Sequence, residues 1–316
     1  MKYIGIDVGG TNLVAGVVDE NGNILDKVSH SVDKTMSAEE MCRELARMAK
    51  GVLTVSGISA KDIAAVGVGL PGLVDNKTGM VIKTPNMPFN RTPFRELFQQ
   101  EWDVPVYLGN DANCAAIGEY FAGAAKSSNN AVVVTIGTGI GGGLVVDGKL
   151  LTGFANAGME VGHMIIHPNG TLCGCGQRGC WEQYGSATAL IRLTLIEMER
   201  NKDTLLWEAC EHNKDSVTGR TAFQAARLGD AAAKRVLAQY LEGLSIGLIN
   251  LVNILQPEII CLGGGVSNAE DDLLLDPLRK LVAEGVFDKH VPIRLEKASL
   301  RNEAGIVGAA LLCKTV

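Results

Sequence analysis

Asp7-Val8-Gly9-Gly10-Thr11-Asn12 closes an apolar run that begins at Tyr3, and Gly137-Thr138-Gly139-Ile140-Gly141-Gly142-Gly143 closes another, Val132–Ile136, in the same way. A second apolar run follows each turn, Leu13–Val18 after the first and Leu144–Val146 after the second. The arrangement reads twice as strand, glycine turn, strand, and so points to an internal duplication rather than to a short solenoid repeat. Two α/β lobes facing one another are expected, with the ligand in the cleft between them. A generic α/β chain with chance likeness between two glycine turns remains the alternative on this evidence alone.

Outward from the first turn, Ile24–Ser31 is a third strand. Ser37 and Glu40 form a capping box that opens a helix reaching Val55. Ala64–Leu70 is predicted as a strand, Arg91–Gln100 as a helix, Val104–Leu108 as a strand, and Ala112–Ala125 as a helix opened by Asp111. Beyond the second turn an irregular glycine-rich stretch covers 153–180, and helices dominate from Ser186 to Leu255. Ile259–Leu262 is a strand that runs into Gly263-Gly264-Gly265. A helix near Leu273–Glu284, a strand near Ile293–Glu296 and a last helix, Glu303–Leu312, follow.

The 316 residues are too many for one small core, and 47% hydrophobic against 20% charged residues is the balance of a folded chain. A net charge of -6 without a basic block argues against nucleic acid as a partner. The start Met1-Lys2-Tyr3 carries no signal-peptide pattern, and Leu241–Leu255 is too short and polar to span a bilayer, so a cytoplasmic protein with no membrane partner is expected. Three of the eight cysteines are clustered; Cys42, Cys114, Cys210, Cys261 and Cys313 lie in apolar segments and read as core.

The glycine turns can do more than reverse the chain. Bare backbone at a strand end lets amide N–H groups approach a phosphate, and Thr11 and Asn12 add donors. Asp7 is placed to hold Mg²⁺ through water. Neither turn has the spacing of a P-loop or a dinucleotide fingerprint, and a plain hairpin remains the alternative for each. Gly263–Gly265 would let a nucleoside lie against the backbone. In Gly109-Asn110-Asp111-Ala112-Asn113, Asp111 is either a helix cap or a carboxylate that accepts a hydroxyl proton during phosphoryl transfer, with Asn110 orienting the same substrate. His163, Cys173, Cys175 and Cys180 form a closed set suited to tetrahedral Zn²⁺, a structural rather than water-activating site. Glu160 and Glu182 flank that set as acceptors for sugar hydroxyls. The other histidines read as incidental.

DVGGTN at 7–12, GNDAN at 109–113, GTGIGGG at 137–143 and GMEVGH…CGCGQRGCWEQYGS across 158–186 together resemble the ROK family of sugar kinases and repressors. The resemblance covers essentially the whole chain. It implies a duplicated ribonuclease-H-like fold of the actin/hexokinase type. The expected lobes are 1–110, joined by a C-terminal helix at about 303–316, and 111–302, which carries the zinc stretch 158–186. It implies Asp111 as the base and Gly72, Asn86, Asn110, Asp111, Glu160, His163 and Glu182 around the sugar. ATP would contact Asp7, Gly9, Gly10, Thr11, Asn12, Thr138, Gly139, Gly264 and Gly265. The zinc ligands would be His163, Cys173, Cys175 and Cys180. The common Leu after the last zinc cysteine is Trp181 here. Within the family the chain looks most like a glucokinase forming glucose 6-phosphate, in a dimer or tetramer. N-acetylmannosamine, N-acetylglucosamine and fructose kinases are the runners-up. A repressor is disfavoured because no helix-turn-helix region precedes Asp7, and a zinc hydrolase because four protein ligands leave no open position.

Overall fold

The computed structural model describes residues 1–315; Val316, the end of the expected C-terminal helix, lies outside them. The first half runs β1 Lys2–Val8, β2 Asn12–Asp19, β3 Ile24–Ser31, α1 Ala38–Ser56, β4 Ile63–Leu70, β5 Leu73–Asp75, β6 Met80–Lys83, β7 Asn90–Thr92, α2 Phe94–Glu101, β8 Val106–Asn110 and α3 Asp111–Ala122. The chain continues through β9 Asn130–Ile136, β10 Ile140–Val146, β11 Lys149–Leu150, α4 Glu182–Gly185, α5 Ala187–Arg200, α6 Leu206–Ala209, α7 Thr221–Arg227 and α8 Ala231–Leu255. It ends with β12 Ile259–Gly263, α9 Leu275–Gly285, β13 Arg294–Lys297 and α10 Ala304–Leu311.

Two five-stranded sheets share one plan, β3-β2-β1-β4-β8 and β11-β10-β9-β12-β13, and this is the expected duplication. In the first sheet β1, β4 and β8 are parallel, while β2 and β3 form an antiparallel meander. A small third sheet, β5-β6-β7, has no counterpart in the sequence reading. Its last strand, β7, and Pro93 occupy the start of the helix expected at Arg91, so α2 begins at Phe94. Proline fixes its own backbone and biases the residue before it toward extended conformation, which ends the strand and delays the helix.

The capping box forms as expected. Ser37 Oγ accepts from the Glu40 N–H at 3.2 Å and Glu40 Oε2 accepts from the Ser37 N–H at 2.7 Å. Successive side chains of a strand point to opposite faces. Ile4, Ile6 and Val8 therefore bury against α1, together with Phe94 and Phe98 of α2. Tyr3 packs on the other face with Cys114 and Ile117 of α3 and Ile306 of α10.

That second face is paved with glycine. Gly16, Gly5 and Gly67 lie side by side in register across β2, β1 and β4. A Cβ on Gly5 would lie 1.9 Å from the Ile306 carbonyl oxygen, and one on Gly67 would lie 1.7 Å from that of Ala309. Helix α10 thus rests on bare sheet backbone. It meets α3 in the same manner: a Cβ on Gly308 would come within 1.6 Å of the Cys114 carbonyl oxygen, and one on Gly118 within 2.5 Å of that of Ala304. The buried carboxylate of Glu119 completes the joint by accepting from the N–H groups of Ala124, Ser299 and Leu300 at 2.7, 3.0 and 2.8 Å.

The chain forms two compact units. One comprises Met1–Val133, Gly143–Met159 and the stretch from Ala298 on; the other comprises Val134–Gly142 and Glu160–Lys297. α3, which follows the boundary expected after Asn110, lies in the first unit, where the glycine contacts bind it to α10. In the second unit the apolar stretch noted at 241–255 is the end of the 25-residue helix α8. Among the described residues this is the one helix long and apolar enough to cross a membrane. Its inward residues, including Tyr240 and Leu244, are fully buried among neighbouring helices. Tyr240 Oη donates to the Gly185 carbonyl at 2.8 Å.

Helix propensity alone favours Ala over Gly at position 308 by about 1 kcal/mol. The Cys114 carbonyl should reverse that sign, so Gly308→Ala is expected to lose about 1–3 kcal/mol or more in urea unfolding. A neutral or stabilised variant would contradict the packing described.

Candidate active site

In the first unit two carboxylates stand at the carboxyl ends of parallel strands, where α/β sheets place their ligands. Asp7 is the penultimate residue of β1 and pairs in register with Gly69 of β4, which pairs with Gly109 of β8; Asn110 and Asp111 follow. Asp7 is half-buried against the first turn of α10, and a Cβ on Gly305 would lie 2.7 Å from its Oδ2. Burial, with a smaller contribution from the Asp111 charge, pushes the Asp7 carboxyl up to about 6. Asp111 opens to solvent, yet surrounding protein desolvates it enough to raise its carboxyl above the usual range against the bonds that its own and the Ala112 N–H donate.

Asp111 is the first residue of α3 and not its cap. The cap is Asn110, whose Oδ1 accepts from the N–H groups of Ala112 and Asn113 at 2.9 and 3.4 Å. Its Nδ2 donates to the Gly72 carbonyl at 3.0 Å. Both ends of the Asn110 amide are therefore engaged, and it holds the strand-to-helix turn beside Asp111. Gly72 adopts φ +98°, and a Cβ there would meet the Lys83 carbonyl at 2.3 Å, so only glycine fits this turn. Asn86 is exposed on the loop after β6.

The first glycine turn is closed by the Gly9 N–H donating to the Asn12 carbonyl at 2.9 Å. The second is closed by the Gly137 N–H donating to the Gly139 carbonyl at 3.0 Å. The spaces that a Cβ would fill on Gly10, Gly137 and Gly265 are open, so these backbones are bare toward solvent, as a phosphate or nucleoside requires. Thr11, Asn12 and Thr138 are exposed. Gly264, at φ +85°, lies against the end of β9, where a Cβ would be 2.4 Å from the Ile136 carbonyl. Beside Gly265 opens a cavity of about 710 Å³ lined by Leu205, Arg220, Phe223, Gln224, Val266 and Asn268, a volume suited to a small molecule.

In the second unit His163, Cys173, Cys175 and Cys180 converge, with one donor atom from each lying within 4.8 Å of all the others. Cys175 Sγ and Cys180 Sγ are 3.6 Å apart, and His163 Nδ1 is 3.7 Å from Cys173 Sγ. A tetrahedral zinc with Zn–S of about 2.3 Å and Zn–N of about 2.0 Å needs edges near 3.5–3.8 Å. The donors present fit that ion. Gly176 and Gly179 supply the positive-φ turns of the knuckle, and a Cβ on Gly179 would strike the His167 carbonyl. Trp181, next in sequence, is fully buried; its Nε1 donates to the Gly243 and Leu244 carbonyls at 3.1 and 3.2 Å and fastens the knuckle to α8. Glu182 begins α4. Its Oε1 accepts from Cys173 Sγ at 2.9 Å, and its Oε2 lies 2.5 Å from the position of a Cβ on Gly139. Glu160 is exposed just before His163.

The model of the ROK family matches residues 3–316. The chain belongs to the ROK family. A glucokinase of Thermotoga maritima is 35% identical over 316 residues, covering 99% of this chain and 98% of its own. The ROK family glucokinase from Streptomyces griseus, solved in complex with glucose and AMPPNP, superposes with a TM-score of 0.82 at 35% identity over 99% of each chain. A xylose repressor of Caldicellulosiruptor bescii is 28% identical over 310 residues, 97% of this chain and 76% of its own.

Beyond the ROK motifs, the sequence reading misses the residues around the 710 Å³ cavity. They come from α6, α7 and the turn after β12, far apart in the chain and without a shared pattern. It also misses Gly305, whose signal is visible only once Asp7 is seen against it.

A carboxyl raised from 3.8 to about 6 favours the folded state below its unfolded value, and that contribution is lost as pH rises through 6. Asp7→Asn should therefore be the more stable protein above about pH 7, by up to about 2–3 kcal/mol, with the difference vanishing near pH 4. Thermal melts of both proteins across this range check it.

Proposed function

We propose that this ROK protein is an ATP-dependent hexose kinase that phosphorylates D-glucose at the 6-hydroxyl, with Asp111 as the base. The observation that carries the reading is the Asp7–Asp111 pair at the ends of parallel strands, in a chain alike over its full length to glucokinases. Phosphoryl transfer asks the protein mainly for positioning and charge neutralisation. The raised Asp111 carboxyl suits a group that takes a proton from a sugar hydroxyl as its oxygen attacks the γ-phosphate. Asn110 and Gly72 hold the turn that presents Asp111. Asn86, Glu160, His163 and Glu182 are assigned to the sugar, with His163 Nε2 free for a hydroxyl once Nδ1 faces the sulfurs. The amides of Gly9, Gly10, Thr11, Asn12, Thr138 and Gly139 are assigned to the phosphates, and Gly264 and Gly265, with the adjoining cavity, to the nucleoside. Asp7 is assigned to Mg²⁺, which when bound would neutralise phosphate charge. The cysteine and histidine set is assigned a structural Zn²⁺ that orders the residues around Glu160 and Glu182.

The repressor alternative is a binding protein with no catalytic turnover, and the acetylated hexosamines and fructose are the competing substrates. A cytoplasmic homo-oligomer acting on soluble sugar and ATP completes the reading. The deciding experiment is coupled ADP release over a panel of hexoses and N-acetylhexosamines. The highest kcat/KM is expected for glucose. A higher value for an acetamido sugar would move the substrate and leave the kinase in place, whereas no turnover with any sugar would favour the repressor.

Asp111→Asn keeps the size of the side chain and removes the proton acceptor, so kcat should fall about 10²–10⁴-fold while sugar binding survives. A kcat within about threefold of wild type would refute the base assignment. Cys175→Ser should lower the zinc content of purified protein together with its melting temperature and activity. Fully active wild-type protein free of zinc would refute the structural role.

A further inference from the structure

We propose that Cys114 is a positioning residue for Asp111, its sulfur setting the height at which α3 begins on the first sheet. The proposal rests on Asp111 being the base. Cys114 follows Asp111 by three residues, so the two side chains share a face of α3. Cys114 is completely buried. Gly69 and Gly109 are register partners on β4 and β8 and make a trough beneath it. A Cβ on Gly69 would lie 3.1 Å from Cys114 Sγ, and one on Gly109 would lie 2.9 Å from it. Non-bonded heavy atoms are most favourable at about 3.5–4.0 Å, so the trough accepts a sulfur and nothing further.

The other side of the same residue is equally confined. The Cys114 carbonyl faces Gly308 of α10, where a Cβ would come within 1.6 Å. Between sheet and α10 the helix has no slack in either direction at residue 114, and Asp111 is one turn away. Desolvation by complete burial pushes the thiol well above its ordinary value, which leaves it neutral and without acid–base work of its own. Its contribution is steric. A displacement of about 1 Å at a reacting group can cost about 10²-fold in rate, so a small lift of α3 should register in turnover.

Gly69→Ala makes the direct test, because Sγ, at 3.1 Å, is the nearest atom to the new methyl, and the next nearest, Cys114 Cβ at 3.4 Å and the Ile6 carbonyl at 3.7 Å, are at ordinary contact distance. Alone, it should lower kcat at least about tenfold, with KM for glucose and ATP changed less than about threefold. Combined with Cys114→Ala, which removes the obstructing sulfur, kcat should return to within about threefold of the Cys114→Ala single variant. Rates are referred to the folded fraction measured by circular dichroism. If Gly69→Ala fails to fold, Cys114→Val presses the same trough from above and is expected to show the same selective loss of kcat. The proposal is overturned if the folded variant keeps wild-type kcat and only its melting temperature falls, or if Cys114→Ala brings no rescue. Asp111→Asn, assayed alongside, separates the two readings. Wild-type turnover there removes the base assignment, whereas an inactive Asp111→Asn beside a fully active Gly69→Ala removes the positioning role alone.

Discussion

The seating of α10 on a glycine row is the constraint on which the first unit depends. Gly16, Gly5 and Gly67 are aligned across three strands, so the helix backbone reaches the sheet backbone directly at Gly5 and Gly67, while the Ile306 side chain seats on Gly16. Two residues further along β1 and β4, on the same face, come Asp7 and Gly69. The closeness that the glycine row imposes is thereby carried to the strand ends. Gly305 then admits the Asp7 carboxylate against the first turn of α10, and Gly308 and Gly118 bring α3 down beside it. The loss of side-chain burial at these glycines accompanies a fixed placement of two helix starts relative to two strand ends, a geometry that larger residues could not reach.

Carboxylates in this unit are handled in two ways, according to what surrounds them. Glu119 is wholly buried, yet backbone N–H groups of Ala124, Ser299 and Leu300 point at it, and Ser299 Oγ donates as well. A buried carboxyl met by several donors is a structural tie. Gly123 leaves room for it, since a Cβ there would lie 2.0 Å from Glu119 Oε2. The carboxyls of Asp7 and Asp111 are raised by burial that donors do not fully offset. Raised carboxyls of this kind mark functional sites more often than structural ones, because the missing compensation is left for a ligand to provide.

Much of this was legible in the sequence wherever the signal was local. Ser37 and Glu40 specify their helix start by contact with each other, and Ile24–Ser31 emerges with the bounds that its flanking turns suggest. The metal set lies within one short stretch, so its spacing alone reveals it. The duplication was legible because both glycine turns follow a strand. Legibility fails where a residue acts through a distant partner. Gly5 and Gly67 look like ordinary strand glycines until α10 is placed over them. From sequence Asp111 reads as the cap candidate, and only the bonds that the Ala112 and Asn113 N–H groups donate to Asn110 Oδ1 give that place to Asn110. β7 was lost because three polar residues before a proline carry no alternation to read.

Trp181 shows what a large side chain beside the metal set requires of its surroundings. A buried indole needs space and a partner for its N–H. Gly247 provides the space, for a Cβ there would lie 2.0 Å from the ring, and the Gly243 and Leu244 carbonyls accept the N–H. The knuckle is thus fixed on one side by α8 and on the other by Glu182, whose carboxylate fills the space above Gly139. Gly162, next to the ligand His163, also lies against the loop, where a Cβ would be 2.1 Å from the Ile140 carbonyl, and Ala187 N–H and Thr188 Oγ1 donate to the Gly137 and Thr138 carbonyls. The glycine loop and the metal knuckle are therefore joined by several fixed polar and backbone contacts, of which the Glu182 carboxylate, holding Cys173 with one oxygen and facing Gly139 with the other, is one.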